Sequence, residues 1–481
     1  MELKREELMK LEKAEIIDIL FSVIAELAAT IKIQSEEIKE LKERLNKNSQ
    51  NSSKPPSSDG LNKPKPKSQR VPSGRKPGGQ RGHKGHGIKL PEKIDEIQSI
   101  EAHSCKNCDS NLDDIEGKVI GSRYVLDIPP IEVWTVKMEQ KETICPRCGT
   151  RNEGIYPQGV NSTIQYGENI KAFVTTLVDY GMVSIDRTQE IIADAFGISM
   201  STGTIQSIIY ECANRVAPTV DAIRDSLIES PVNHYDETGF RVDGRLHWMH
   251  VASNEKYTYI TVHPKRGNEG IDNNGVLPLN TGHAVHDCWG PYFQYTNCVH
   301  ALCNAHLLRE LTSVHEVAKQ EWASDMMQLL LDLKNETDKS KNKGETCLPI
   351  EDILVFEEAY DSILQSGLAL NPLPERKKGQ KGKLKRGKTR CLLDRLLEHR
   401  NKVLLFAHNF QVPFDNNQAE RDIRIFKVKQ KVSGGLRSPD GAVAFAKVTS
   451  FIQTAKKQGA SVFNALCSAF SGSSRNVVYS D

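Results

Sequence analysis

Apolar residues recur at seven-residue spacing near the start of the chain. Between residues 10 and 47 the a positions hold five aliphatic residues and the d positions hold three, namely Ile17, Ile24, Ile31, Ile38 and Leu45, then Leu20, Leu27 and Leu41. Gln34 fills one further d position, where a polar side chain would weaken the seam and fix its register. Since no Gly or Pro interrupts the seam, residues 1–47 are predicted to form a coiled coil that makes the chain a homo-oligomer. A lone amphipathic helix packed on a domain is the alternative.

Residues 48–92 lose this pattern and become strongly basic. Ten Lys or Arg residues stand against one acid, Asp59, between Lys54 and Lys89, and Pro, Gly and Ser are abundant. Such a segment cannot bury a core and is predicted to be disordered on its own. Basic flexible segments bind phosphate backbones through counterion release, so this linker is predicted to contact DNA. A linker that only keeps the chain soluble is the alternative.

Residues 93–160 carry two C-x-x-C pairs, which contain Cys105, Cys108, Cys145 and Cys148. Each pair makes a tight knuckle that offers two thiolates, so the two knuckles predict one structural Zn²⁺ in a zinc-ribbon-like module. The residues between them, RYVLDIPPIEVWTVKMEQKETI, are predicted to form two strands. Redox-active or unligated thiols are the alternative.

Residues 161–228 have a helical pattern. The stretch RTQEIIADAFGISMSTGTIQSIIYECANRV resembles a helix-turn-helix, with a turn at Gly197 and a second helix beginning near Ser201 to Thr204. This pattern predicts a DNA-binding element, and a plain helical hairpin is the alternative.

From Val232 the apolar residues alternate, as they do in strands. VNHYDETGF, LHWMHVAS and KYTYITVHP predict three strands, and after a helical segment HAVHDCWGPY predicts a fourth that ends at Asp287. This order is that of a ribonuclease-H-like α/β core, whose first part we assign to residues 229–311. Asp236 and Asp287 would then meet on one side of the sheet. Glu237 should point to the opposite face, away from Asp236.

A third carboxylate comes from PFDNNQAERDIRIFKVKQK, within the second part of the core at residues 406–475. Asp415 and Gln418 suggest a capping box that starts a helix with Glu420 in its early turns. Together with Asp236 and Asp287, Glu420 supplies the hard oxygen ligands that suit Mg²⁺, and two such ions can catalyse phosphoryl transfer. The candidate nucleic-acid-binding residues are Arg421, Arg424, Lys427 and Arg309.

Each acid also has a simpler interpretation. Asp236 could be a solvated strand end, Asp287 could cap a turn, and Glu420 could stabilise the helix dipole. The joint order and spacing of the three favour the catalytic interpretation.

Composition narrows the class of protein. The 481 residues are too many for one ordinary domain, and the net charge is only +2. No apolar run reaches the length of a membrane span and the N-terminus is charged, so we expect no membrane partner and a cytoplasmic location. Eleven Cys in a chain of this size suit a reducing compartment.

Combined in this order, these features resemble the transposases of the insertion sequence 66 family over almost the whole chain. The most specific stretches are SSKPPSSD, HYDETGF, CNAHLLREL and NNQAERDIR. The resemblance implies a DDE transposase with Asp236, Asp287 and Glu420 as metal ligands, DNA ends and target DNA as partners, and accessory proteins of the same element. It also implies a helical insertion at residues 312–405, which includes the basic loop RKKGQKGKLKRGK.

Two other functions compete with this one. A DNA-binding regulator descended from a transposase would keep the binding elements without catalysis, and a ribonuclease-H-like nuclease or resolvase would cleave without joining. On CNAHLLREL, His306, Arg309 and Glu310 share one helical face. They could contact DNA, support Asp287, or serve in the core or in salt bridges.

Overall fold

The computed structural model describes residues 12–45, 82, 90–129, 131–157, 159–374, 384 and 386–473. The chain divides into a smaller compact unit, Lys67–Tyr156 with Ala195–Gly197, and a larger one that contains the rest. Most of the predicted basic linker, and most of the basic loop in the helical insertion, lie outside the described residues.

The heptad segment forms one continuous helix, α1, from Lys13 to Leu45. The apolar seam of this helix is open to solvent, with Ile24 57% exposed and Ile31 64% exposed. The predicted helix is therefore confirmed, and self-association through its seam stays a prediction.

The smaller unit contains two short antiparallel strands, β1 (Glu142–Ile144) and β2 (Arg151–Glu153). The two strands predicted between the cysteine pairs are wrong over most of their length, because in the described part of residues 123–144 only β1 is a strand. Apolar side chains in this stretch stay in solvent, since Val125 and Trp134 are each 90% exposed. A hairpin that buries no apolar face gains too little to form.

Four helical segments precede the main sheet. They are α2 (Glu168–Thr175), a π-helical turn (Thr176–Tyr180), α3 (Ile185–Phe196) and α4 (Thr202–Ile228). The Ser201 side chain caps α4 by accepting a hydrogen bond from the Thr204 N–H at 3.0 Å. The two helices predicted on either side of Gly197 are thus present, and their contact with DNA stays a prediction.

The main sheet has five strands in the order β5, β4, β3, β6, β7. Its strands are β3 (Val232–Val242), β4 (Arg245–Ser253), β5 (Thr258–His263), β6 (His283–His286) and β7 (Val299–Leu302). The first three are antiparallel to one another, whereas β6 runs parallel to β3 and β7 runs parallel to β6. The result is a mixed α/β fold with β3 at the centre of the sheet.

Helices connect and cover these strands. Between β5 and β7 lie α5 (Asn268–Asn274) and a 3₁₀ turn (Gly290–Gln294). After β7 come α6 (Asn304–Ala318), α7 (Glu321–Asn342), α8 (Ile350–Leu370), α9 (Lys388–Glu398) and α10 (Arg400–His408). The chain ends in α11 (Asn417–Ser433), α12 (Pro439–Lys457) and α13 (Val462–Phe470). Residues between Asp287 and Glu420 are therefore mostly helical where they are described.

Two apolar clusters hold these layers. On one face of the sheet, Phe240 of β3 packs edge-on against Phe426 of α11, which in turn packs against Phe445 of α12. A second cluster joins β6 and β7 to helices α6 to α10 around residues such as Leu311 and Tyr360. Among the described helices, none combines the length and the apolar character that crossing a membrane requires.

Candidate active site

The register of β3 with β6 brings Asp236 and Asp287 near each other. His234 pairs with Val285 at the end of this parallel ladder, and Asp236 and Asp287 each follow two residues later, with Asp287 just after β6 ends at His286. The charge of Asp287 raises the pKa of Asp236. Asp236 does not lie at the end of β3, because it and the residues after it still pair with β4. Asp236 instead lies where the parallel pairing with β6 stops and the two strands diverge.

Asn416 connects these strands to the helix that carries Glu420. Its side-chain amide donates to the Tyr235 carbonyl at 2.7 Å, and its side-chain oxygen lies 2.8 Å from Nδ1 of His234. Its backbone N–H donates to Sγ of Cys303, just before α6, at 3.1 Å. One buried residue therefore joins β3, α6 and α11 next to Asp236.

Glu420 lies in the first turn of α11. The predicted capping box is wrong: the N-cap residue is Asn416, which makes no side-chain cap. Asp415 instead accepts from the N–H of Asn417, two residues on. Asn416 is committed to β3 and so is not free to cap its own helix. Glu420 still occupies the early helical turn that the sequence predicted.

The side chain of Glu420 lies between two residues of α6. Its Oε1 is 3.7 Å from Nδ1 of His306, and its Oε2 is 3.7 Å from the guanidinium of Arg309. Both the Glu420 Oε1 and the His306 Nδ1 atoms are buried without a hydrogen-bond partner. The neighbouring Glu310 instead forms an ion pair with Arg395.

The charges of the neighbouring acids act on Asp236. Burial raises the pKa of Asp236 well above its usual value, and the charges of Glu237, Asp287 and Glu420 raise it further. The pKa of Asp287 is also raised, mainly by burial and then by the charge of Glu237. So many carboxylates in one buried place repel one another unless a proton or a cation lies among them.

These residues fit a divalent cation. Among the described side chains, the ligand atoms of Cys303, His306 and Glu420 all lie within 4.8 Å of one another. The carboxylates of Asp236 and Asp287 would add hard oxygen ligands. The free Oε1 of Glu420 and the mutual repulsion around Asp236 are the features that a bound positive charge would relieve.

Glu237 has a different environment from Asp236. Its carboxylate accepts two bonds from the guanidinium of Arg266, at 2.6 and 2.9 Å, and one from the hydroxyl of Tyr292. The guanidinium of Arg266 lies over the rings of both Trp248 and Trp289. The sequence had assigned no role to Glu237 or Arg266, which lie 29 positions apart in the chain.

A cleft of about 180 Å³ opens beside Asp287. Trp289, Cys303, His306 and Leu307 contribute to its wall, and Glu310 and Arg395 line it as a charged pair. A ligand of modest size that enters this cleft would contact Asp287 and His306.

The candidate DNA-binding side chains are placed differently from one another. Arg424 is exposed on α11. Arg421 is also exposed, and its guanidinium donates a hydrogen bond to Oε1 of Gln418 at 2.8 Å. Lys427 donates from Nζ to the Gly239 carbonyl at 2.6 Å, so its ammonium group already contacts β3. Arg309 contacts Glu420 and so lies nearer to the acids than the sequence suggested.

The two cysteine pairs form matching turns in the smaller unit. The Cys105 N–H bonds to the Ser110 carbonyl and the Asp109 N–H to the Cys105 carbonyl, and Cys145, Gly149 and Thr150 repeat this arrangement. The thiols of Cys108 and Cys148 each lie 3.2 Å from a hydroxyl two residues on. The structure does not bring three of these four sulfurs within 4.8 Å of one another, since no such group occurs among the described residues of this unit. Their binding of one Zn²⁺ stays a prediction.

Comparison with known proteins assigns the chain to a family. The family model described as "Transposase IS66 family" matches residues 163–444, which is more than half of the chain, and a model described as a family of unknown function (DUF6444) matches residues 2–89. The uncharacterized protein y4jO of Sinorhizobium fredii is 36% identical over 75 residues, which is 16% of this chain and 23% of that protein. The chain thus spans about a quarter of this relative's length. The resemblance seen in the sequence is confirmed, and the chain belongs to the insertion sequence 66 family of transposases.

Proposed function

We propose that the protein is a DDE transposase, which cleaves the DNA ends of its element and joins them to target DNA. The observation that supports this proposal is that the charges of Asp287 and Glu420 both raise the pKa of Asp236. Carboxylates held near one another in a half-buried place repel one another. A site that binds cations during phosphoryl transfer gives a functional reason for this arrangement.

The arrangement of the sheet supports a ribonuclease-H-like core. Three antiparallel strands are followed by two parallel ones on the side of β3 away from β4. Asp236 comes from the central strand, Asp287 follows the first parallel strand, and Glu420 comes from a helix that packs on the sheet. Ligands of open α/β sheets gather near such strand ends.

Asp236, Asp287 and Glu420 would hold two Mg²⁺ ions. When bound, these ions would activate an attacking oxygen and stabilise the leaving oxygen. Asp236 would bind cations together with the other two acids, since the charges of both raise its pKa. The protein's own part is to hold these oxygens in place, which the hydrogen bonds of Asn416 support.

Basic side chains around the acids would hold the DNA backbone. Arg424 and Arg421 are exposed on the helix of Glu420, and Arg309 faces its carboxylate. Guanidinium groups bind phosphate through paired N–H donors. In this proposal they add affinity and position the strand, and Lys427 adds less because its ammonium group already bonds to Gly239.

Single substitutions test this proposal. Asp236→Asn, Asp287→Asn and Glu420→Gln should each abolish Mg²⁺-dependent cleavage and strand transfer on DNA that bears the element ends, while DNA binding stays within about threefold of wild type. Asp186→Asn, an exposed acid on α3, is the control and should keep full activity.

The products separate the competing functions. Cleavage without joining would identify a nuclease or resolvase, and binding of the ends without any nicking would identify a regulator. Either result contradicts the proposed transposase activity.

A further inference from the structure

Two buried polar atoms near the candidate active site lack partners. They are Nδ1 of His306 and Oε1 of Glu420, and they lie 3.7 Å apart. Buried polar atoms in folded proteins nearly always have a hydrogen-bond partner, so two unpaired atoms that face each other call for an explanation.

A direct hydrogen bond does not explain them. Such bonds span at most about 3.2 Å, and these atoms are 3.7 Å apart. Two ligands that each lie about 2.1 Å from one metal ion can be separated by up to about 4.2 Å. The separation therefore suits two ligands of one ion.

The other groups around Glu420 already have partners. The sulfur of Cys303 accepts the N–H of Asn416 at 3.1 Å, and Arg309 faces the second oxygen of the carboxylate. The start of α6 is held in place as well, because Asn304 bonds through its side chain to the Val403 carbonyl and through its N–H to the Phe414 carbonyl. His306 therefore presents an imidazole nitrogen to Glu420 from a fixed helix.

We infer that His306 is a direct nitrogen ligand of the divalent cation that Glu420 holds, and that this cation site prefers Mn²⁺ to Mg²⁺. The inference rests on the proposed function, in which the carboxylates bind cations. Mg²⁺ favours oxygen ligands and Mn²⁺ accepts imidazole more readily, so a mixed oxygen and nitrogen set shifts the preference toward Mn²⁺.

The experiment measures metal binding to the full-length protein without DNA. Mn²⁺ is added alone, its affinity is measured by electron paramagnetic resonance, and Mg²⁺ affinity is obtained by competition. Pulsed resonance of bound Mn²⁺ then detects any directly coordinated nitrogen. The variants are His306→Ala, Glu420→Gln and His315→Ala, the last being a matched control on the same helix whose Nδ1 is also buried and unpaired.

Wild type and His315→Ala should show a nitrogen signal from bound Mn²⁺, and His306→Ala should lose it. Loss of a partner around a metal site typically weakens binding by 10- to 100-fold, so the ratio of Mn²⁺ to Mg²⁺ affinity should fall at least about tenfold in His306→Ala. Thermal unfolding without metal confirms that each variant is folded.

Other outcomes overturn the inference in distinguishable ways. If Mn²⁺ binding depends on Glu420 but shows no nitrogen signal, no imidazole coordinates the ion. If the nitrogen signal is unchanged in His306→Ala, another nitrogen coordinates it. In both cases His306 is not the ligand, and the proposed function stands without it. Mn²⁺ binding that does not depend on Glu420 would contradict the cation site of the proposed function itself.

Discussion

Asn416 donates a hydrogen bond from its side-chain amide to the backbone carbonyl of Tyr235 across 2.7 Å. This bond ties the start of the Glu420 helix to the residue before Asp236. Asn416 is only 1% exposed, so the bond lies away from bulk solvent.

The first prediction concerns this link. Asn416→Ala should lower the free energy of unfolding by about 1–3 kcal/mol, because it leaves the Tyr235 carbonyl unpaired in a buried place. It should also slow DNA cleavage at least about tenfold, since small displacements of catalytic groups are costly. Urea unfolding and cleavage assays measure the two effects. The neighbouring Asn417→Ala is the control, and equal behaviour of the two variants would show that the link is dispensable.

The second prediction concerns Glu237, which sequence analysis directed away from the acids. Glu237→Ala should destabilise the fold by about 1–3 kcal/mol, because the Arg266 guanidinium and the Tyr292 hydroxyl lose their shared acceptor. The cost is limited by solvent, since the Arg266 side chain is 39% exposed.

Cleavage by Glu237→Ala should fall through loss of folded protein rather than through loss of cation binding. Glu237→Gln, which keeps an acceptor oxygen, should lie between Ala and wild type, and the exposed Glu269→Ala should change nothing. Loss of Mn²⁺ binding in a folded Glu237→Ala protein would instead make Glu237 a metal ligand.

The sequence predicted the helices and strands whose own apolar residues recur with a regular spacing. The seven-residue spacing from Ile17 onward predicted α1, and alternation predicted β3, β4 and β5. Asp236 and Asp287 were chosen for their positions on predicted strands, and in the structure each follows the last pair of the β3 and β6 ladder by two residues.

Contacts between distant segments carried no such signal. The strands expected around Trp134 require a surface to pack on, and alternation alone does not supply one. The capping box failed because Asn416 is bound to β3, a tertiary contact that overrides local capping preference. Arg266 was missed because its partner Glu237 is near it only in the folded sheet.

The third prediction concerns pH and a buried pair outside the candidate site. Burial raises the pKa of Asp179, in the π-helical turn, to about 7 from 3.8, although the charge of Lys429 opposes the shift. Lys429 donates from Nζ to the Val178 carbonyl at 3.2 Å. The thiol of Cys212 also faces Asp179, whose charge helps to raise its pKa.

Between pH 3.8 and about 7 the folded state holds a proton on Asp179 that the unfolded state releases. The contribution of Asp179 to the free energy of unfolding is therefore full below pH 3.8 and is lost as the pH rises to about 7. The loss should be at most about 1.4 kcal/mol per pH unit. Asp179→Asn should flatten this part of the curve of unfolding free energy against pH. Asp186→Asn, at an exposed position, should leave it unchanged, and an unaltered curve in Asp179→Asn would refute the assignment.

The fourth prediction concerns the smaller unit. Cys105, Cys108, Cys145 and Cys148 should bind one Zn²⁺ per chain, because each knuckle offers two thiolates in the same backbone geometry. Metal analysis of purified protein measures the ratio. Cys108→Ser with Cys145→Ser should lose the zinc, and Cys347→Ser with Cys391→Ser, at two exposed cysteines elsewhere, should retain it. Zinc retained by the first pair would contradict the assignment.

The fifth prediction concerns the exposed seam of α1. Ile24 and Ile31 lie one heptad apart at a positions and are mostly exposed, and pairing with a second copy would bury them. Ile24→Glu with Ile31→Glu should therefore convert the oligomer to monomer in sedimentation experiments and weaken pairing of two DNA ends. Ser22→Glu with Ala29→Glu, which adds the same charge at two consecutive f positions of the same helix, should leave the oligomer intact. If both double variants sediment like wild type, the chain associates through another surface, because two buried glutamates in each copy would destabilise a coiled coil.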